Sequence, residues 1–233
     1  MRKVMMLLGA IGACLAMSTS AATMIFETPN GATTGGGPVD ARVQFDLGAG
    51  SLQITIWNLQ DNPTDVMQCV SGLFFTLSSE GSSGSLTTLQ GLERNIAANG
   101  TYWPVVGSVG PIATPGWLLS GSSLPGSGST WSLNALGGGQ PEHTIIGGPN
   151  ALGVYSAANG SIAGNDPHNP FLAGPATFNL SITGVTADTT VTDVMFQFGT
   201  APGNNVGVPD GGSSLVLLGM ALSGLSLLKR RFC

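Results

Sequence analysis

The stretch Ala41-Arg42-Val43-Gln44-Phe45-Asp46-Leu47-Gly48-Ala49-Gly50-Ser51-Leu52-Gln53-Ile54-Thr55-Ile56 decides the fold class. In its first arm the odd positions are apolar and the even ones polar. In its second arm Leu52, Ile54 and Ile56 line one face, with Gln53 and Thr55 opposite. Period-two alternation is the mark of a half-buried strand. Gly48-Ala49-Gly50 between the arms predicts a hairpin turn.

The same pattern recurs outward from this hairpin. Cys69 to Leu77 continues it with Leu73, Phe75 and Leu77, and this register places Cys69 on their face. Ala176, Phe178, Leu180 and Ile182 alternate with Thr177, Asn179 and Ser181, and a last run from Val191 to Phe198 aligns Val194, Phe196 and Phe198. No stretch of the body shows a helical stripe, and Gly, Ser, Pro and Asn interrupt it at short intervals. The expectation is an all-β domain, an antiparallel β-sandwich or jelly-roll-like fold. The Gly- and Ser-rich middle, 107–139, reads as long loops with short strands at Trp117 and Trp131.

Composition excludes several classes. Only 8% of the 233 residues are charged and 42% are hydrophobic, so this is no charge-rich disordered chain. The 36 glycines follow no three-residue period, which excludes collagen. Between Thr23 and Val208 the chain carries Arg42 and Arg94 as its only cations, against eleven acids. Nucleic-acid binding needs clustered Lys and Arg, and a Walker-type loop needs a lysine, so neither fits.

The two ends read differently from the body. Met1-Arg2-Lys3, an apolar run from Val4 to Met17 and small residues to Ala22 form the pattern of a secretory signal peptide over residues 1–22. Ser20 and Ala22 occupy the two small sites before a cut at Thr23. A lipoprotein cut at Cys14, in Ile11-Gly12-Ala13-Cys14, is the lesser alternative. Near the other end, residues 211–228 are uncharged and apolar enough to predict a single transmembrane helix near the lower length limit. Lys229, Arg230 and Arg231 follow as a cytoplasmic stop. This topology exports the body, residues 23–203, and leaves 204–233 as a flexible linker plus membrane segment. Gly203, Asn204, Asn205 and Gly207 make up the linker's approach.

Just before the apolar run stands Val208-Pro209-Asp210-Gly211-Gly212. A Pro-containing motif, one apolar helix and an Arg-rich end together resemble the PEP-CTERM sorting signal, in its VPDSG variant, with Gly212 where that variant has Ser. The resemblance covers Val208 to Phe232. It implies processing by an exosortase, a membrane-embedded transpeptidase-like enzyme of Gram-negative bacteria, with transient residence in the inner membrane. It also implies a cell-surface or matrix protein made alongside exopolysaccharide. Pro209 fixes φ and biases Val208 to an extended conformation, as a processing site requires.

The search for chemistry in the body is mostly negative. Cys69 is the lone thiol of the expected mature chain and reads as a small buried side chain. Glu142-His143 and Asn165-Asp166-Pro167-His168-Asn169-Pro170 hold the only histidines. Asp166 and His168 either bind a cation or sugar hydroxyl, with Glu142 and His143, or simply build a rigid turn; the turn is the stronger reading. Trp57, Tyr102, Trp103, Trp117, Trp131 and Tyr155 either stack on sugar or fill the core, and core packing is favoured. Asn99, Asn159 and Asn179 lie in Asn-x-Ser/Thr sites that matter only in a glycosylating route. No cofactor, metal or catalytic residue is expected. The leading expectation is a non-enzymatic exported surface or matrix protein; a carbohydrate-binding module and a secreted hydrolase are its rivals.

Overall fold

A computed structural model describes residues 22–209, except 106–108, 114–115, 124–125, 127, 137–140, 159 and 165–167. Residues 1–21 of the expected leader 1–22, the expected transmembrane helix 211–228 and the basic tail lie outside the described residues, whereas the leader's last residue, Ala22, is the first of β1. Among the described residues, no helix is long and apolar enough to cross a membrane.

The strands are β1 (Ala22–Glu27), β2 (Thr33–Thr34), β3 (Gly37–Pro38), β4 (Ala41–Gly48), β5 (Ser51–Asn58), β6 (Val70–Leu77) and β7 (Gly84–Ile96). They continue with β8 (Tyr102–Pro104), β9 (Gly110–Pro111), β10 (Leu118–Ser123), β11 (Ser129–Asn134), β12 (Ile145–Ile146), β13 (Phe171–Ile182), β14 (Val191–Phe198) and β15 (Asn205–Gly207). One short 3-10 turn, Val66–Gln68, precedes β6 and is closed by Asp65 and Gln68 in a reciprocal capping box.

The opening stretch folds as its alternation predicts. β4 and β5 pair antiparallel, with Val43 opposite Ile56, Phe45 opposite Ile54 and Leu47 opposite Leu52. Gly50 takes a φ of 68° in the turn, a conformation that a side chain disfavours. β13 is shared: it pairs with β5 on one side and β7 on the other. Its pairing with β7 shifts register between Ala173 and Thr177, where Gly174 at φ 76° precedes Pro175, which has no N–H to donate.

Among the described residues, thirteen strands join in one sheet. The fold is all-β, but the expectation of a purely antiparallel architecture is corrected at one joint. Ile145 and Ile146 of β12 run parallel to Leu172 and Ala173 of β13, and Ile145 also pairs with Val70 of β6. This joint links the β1–β4–β5–β13 strands to β6, β11 and β10 in a single mixed sheet. The sheet folds back on itself, because Phe45 of β4 packs edge-on against Phe75 of β6 at 5.3 Å between ring centres. Phe178 of β13 meets Trp117 at 4.8 Å in the same core.

In the middle of the chain the short strand expected at Trp131 is present as β11, and the one expected at Trp117 starts one residue later as β10. β10 and β11 form an antiparallel pair, and β11 then docks on β6. Glycine makes this packing possible. A Cβ at Gly121 would lie 2.3 Å from the Trp131 ring, and one at Gly84 would lie 2.7 Å from it. These gaps seat the buried indole, whose Nε1 donates to Ser129 Oγ at 2.8 Å. Composition alone reads such glycines as loop, whereas here they are the space a tryptophan fills.

A second, smaller core lies apart from the first. It gathers Val66, Cys69, Ile96, Ile146, Tyr155, Ala158, Ile162, Ala163, Phe171 and Ala173. Cys69 belongs here, not with Leu73 and Phe75. The pairing of β14 with β6 skips Ser71, going from Gln197 opposite Gly72 to Phe198 opposite Val70. That irregularity changes which side chains face the main core, so Val70 joins it and Cys69 does not.

Candidate functional site

The two histidines are both buried, and neither joins a metal cluster: no group of three or more His, Cys, Asp or Glu forms a metal site among the described residues. His143 has a φ of 58°, and its carbonyl accepts a 2.9 Å hydrogen bond from Trp117 Nε1. Its Nε2 lies 2.8 Å from Glu93 Oε1. Glu142, expected beside it, is exposed instead. His168 is buried with Nδ1 unpartnered, while Asp166 lies outside the described residues. Next to it the Asn169 amide clasps the Ile96 backbone, donating to its carbonyl and accepting from its N–H, each at 3.0 Å. That clasp ties the segment entering β13 to the end of β7.

Arg94 joins this region. Its guanidinium donates to the Tyr155 hydroxyl at 2.9 Å and stands 4.0 Å over the Tyr102 ring. The Tyr155 hydroxyl in turn donates to Gly147 O at 2.9 Å. Burial pushes the Tyr155 phenol up, with Arg94 opposing that shift. Burial also pushes the Cys69 thiol well above its usual range, with the Asp65 charge adding to it, so it is held as an unreactive thiol. The Glu93–His143 and Arg94–Tyr155 contacts leave no spacing pattern in the sequence. The adjacent opposite charges of Glu93 and Arg94 were the only visible signal.

Five of the six aromatic residues singled out in the sequence are buried or half-buried. Trp117, Trp131 and Tyr155 are buried, Trp57 and Tyr102 are half-buried, and Trp103 is 49% exposed. A shallow groove does run over Asp46, Gln53, Thr87 and Asn179. Its amides are tied to one another: Gln53 donates to Asn179 at 2.9 Å and Asn179 donates to Thr88 at 2.8 Å.

The chain's exit from the fold is the clearest site. Within residues 204–207, expected as a flexible approach, Asn205–Gly207 form strand β15, which extends the body past residue 203. β15 lies antiparallel on β14, with Met195 opposite Gly207, Phe196 opposite Val206 and Gln197 opposite Asn205. Phe198 N donates to Asn204 O and Val208 N donates to Val194 O, both at 2.9 Å. Val206 and Val208 pack, half-buried, against the main core. Pro209 follows, exposed.

Residues 207–232 match the VPDSG-CTERM motif.

This motif is a PEP-CTERM-like sorting signal. It begins on the last residue of β15, so sorting signal and folded body adjoin without a spacer. Of its five signature positions, Val208 and Pro209 are described, whereas Asp210, Gly211 and Gly212 lie outside the described residues. The VPDSG-CTERM motif indicates an exported protein with a membrane-anchored precursor, and it implies a sorting enzyme of the exosortase kind as partner. No curated protein matches the chain.

Proposed function

We propose that the chain is a non-enzymatic exported protein of the cell surface or extracellular matrix, processed at Val208–Gly212 by an exosortase. The observation that carries this reading is the VPDSG-CTERM motif set directly against the end of a folded β body. The leader over residues 1–22, the span over 211–228 and the stop at Lys229–Arg231 complete the route as the sequence reads it. The body's chemistry is in keeping with a structural role. Its thiol is buried and held protonated, and its two imidazoles are buried. The buried tryptophans give an aromatic sugar platform little support.

Intact-mass measurement of the surface-exposed protein, in cells carrying a matching exosortase, tests this reading. The expected mature species lacks the segment after the motif. Pro209→Ala with Asp210→Ala should leave the uncut form in the membrane fraction. A mature species still ending at Cys233, or unchanged release of the double variant, would overturn the processing step.

A further inference from the structure

β15 occupies an unusual position for a strand so close to a processing motif. The first signature residue, Val208, is still part of the fold: its N–H is taken by Val194 O and its side chain is half-buried against the main core. A processing enzyme grips an extended substrate through backbone N–H and C=O groups and through side-chain pockets. While Val208 sits on β14, neither its N–H nor its side chain is free for that grip.

The placement of the chain ends adds a second constraint. β1 of the exported body begins with Thr23 opposite Asp46, beside the β4–β5 turn. β15 runs toward the Val191 end of β14, which pairs with Leu77 of β6. The turn and the Val191 end are at one pole of the sheet: Gly50 N donates to Val185 O just past the end of β13, Thr183 N donates to Ser83 O in the turn that follows β6, and Ser78 N in that same turn donates to Thr190 O beside Val191. From Val208 to Ser213, where the uninterrupted apolar run starts, the chain advances five residues, a reach of about 18 Å at most. The pole therefore stands close against the bilayer in the anchored precursor, with too little free chain for an enzyme to work on the motif at a distance from the body.

We propose that β15 is a releasable strap, and that the sorting enzyme takes the motif only after residues 205–208 peel away from β14. This inference rests on the processing reading above and specifies how that site is exposed. The strap is built to open. It has three residues, its burial alternates exposed, half-buried, exposed, and it lies at a sheet edge, where local opening is easiest. The last backbone hydrogen bond from β15 to β14 among the described residues is that of Val208, so few bonds must break to free the motif. The folded body thereby sets the fraction of time for which the signal is readable, and release becomes coupled to the state of the β14 edge.

A cross-link tests this directly. Met195 and Gly207 face each other across β14 and β15 in a pair that the flanking bonds make non-hydrogen-bonded, the closer arrangement. A Cβ at Gly207 would meet nothing within 4 Å, and its φ lies outside the left-handed region. Met195→Cys with Gly207→Cys, in a Cys233→Ser background, would therefore lock the strap once oxidised in the export compartment. The readout is intact mass in cells carrying a matching exosortase, with and without reductant. The locked form should be processed at least about tenfold more slowly, because processing follows the open fraction, and reductant should restore the rate. Each single cysteine variant should be processed like the parent. Normal processing of a protein shown by mass to be cross-linked would overturn the strap. In the opposite direction, Val206→Gly should loosen the strap and speed processing several-fold; an unchanged rate there would also overturn it. An unprocessed parent protein would instead bring down the processing reading itself.

Discussion

The main core and the smaller second core are built by different means. The main core is strand against strand: Val43, Phe45, Ile54, Ile56, Phe75 and Phe178 all come from alternating runs. The second core draws Tyr155, Ala158, Ile162 and Ala163 from an irregular segment between β12 and β13. It is sealed by polar contacts, with Arg94 on Tyr155, Tyr155 on Gly147 and Asn169 on Ile96. The difference teaches that a loop-built core holds its shape by hydrogen bonds that a strand-built core obtains from its ladders.

The largest effect should separate the two cores outright. Phe45→Ala removes a fully buried ring wedged between Phe26 and Phe75 and should cost about 3–5 kcal/mol of global stability in denaturant titration. Ile162→Ala, equally buried but in the loop-built core, should cost about 2 kcal/mol or more. Its loss should appear chiefly as faster hydrogen exchange around residues 147–164 and β8. Equal global loss from both variants, with exchange rising uniformly, would show that the two clusters melt as one unit.

A smaller effect reads the polar seal. Tyr155→Phe leaves Gly147 O without its donor and Arg94 without its acceptor, a cost of about 1–3 kcal/mol. The pH dependence follows from the two raised groups of this core. A phenol or thiol whose folded pKa is raised is favoured in its neutral form by folding. Its contribution is therefore complete below the ordinary value and is lost as pH rises toward the folded one. Stability should hold to about pH 9, the ordinary value for Cys69, and decline above it, with Tyr155 adding to the fall from about pH 10. Each group steepens the slope by up to about 1.4 kcal/mol per pH unit. In a Cys69→Ala background, Tyr155→Phe should flatten what decline remains. A wild-type curve that stays level to pH 11 would remove burial as the reason for both shifts.

The same contrast explains what could be read from the residues alone. β4, β5 and the paired half of β13 announce themselves because one face is wet and the other dry, so every second residue is polar. β11 is legible at Trp131, but its pairing with β10 is not, because Gly121 looks like a loop residue until the Trp131 ring it accommodates is in place. Cys69 is misplaced by one face because an irregularity in strand pairing leaves no mark in composition. The sorting motif is legible in full, since its features are contiguous in sequence. Strand β15 is not, because Asn204-Asn205-Val206-Gly207 has the composition of a linker and becomes a strand only through the β14 edge that receives it. Glu93–His143 joins residues 50 apart in sequence, a distance no local pattern spans.

The smallest expected effect concerns the aromatic residues outside both cores. Trp103 lies on β8, which pairs with the end of β7 beside the second core, and it is 49% exposed. Its neighbour Tyr102 packs against that core under Arg94, whereas Trp103 faces outward on the alternate side of the strand. Trp103→Ala should change stability by no more than about 0.5 kcal/mol, the usual range for a surface position without a special contact. Trp131→Ala, which empties the site that Gly84 and Gly121 leave open, should cost about 3–5 kcal/mol. Retention of the Trp103→Ala variant on an immobilised neutral polysaccharide should equal that of the parent protein, because a lone ring gives a sugar chain no second surface on which to stack. Loss of retention with unchanged stability would make Trp103 a binding residue and return the carbohydrate-binding reading to first place. A large stability loss would mean instead that β8 is part of the seal over the loop-built core, and would extend that core by a strand.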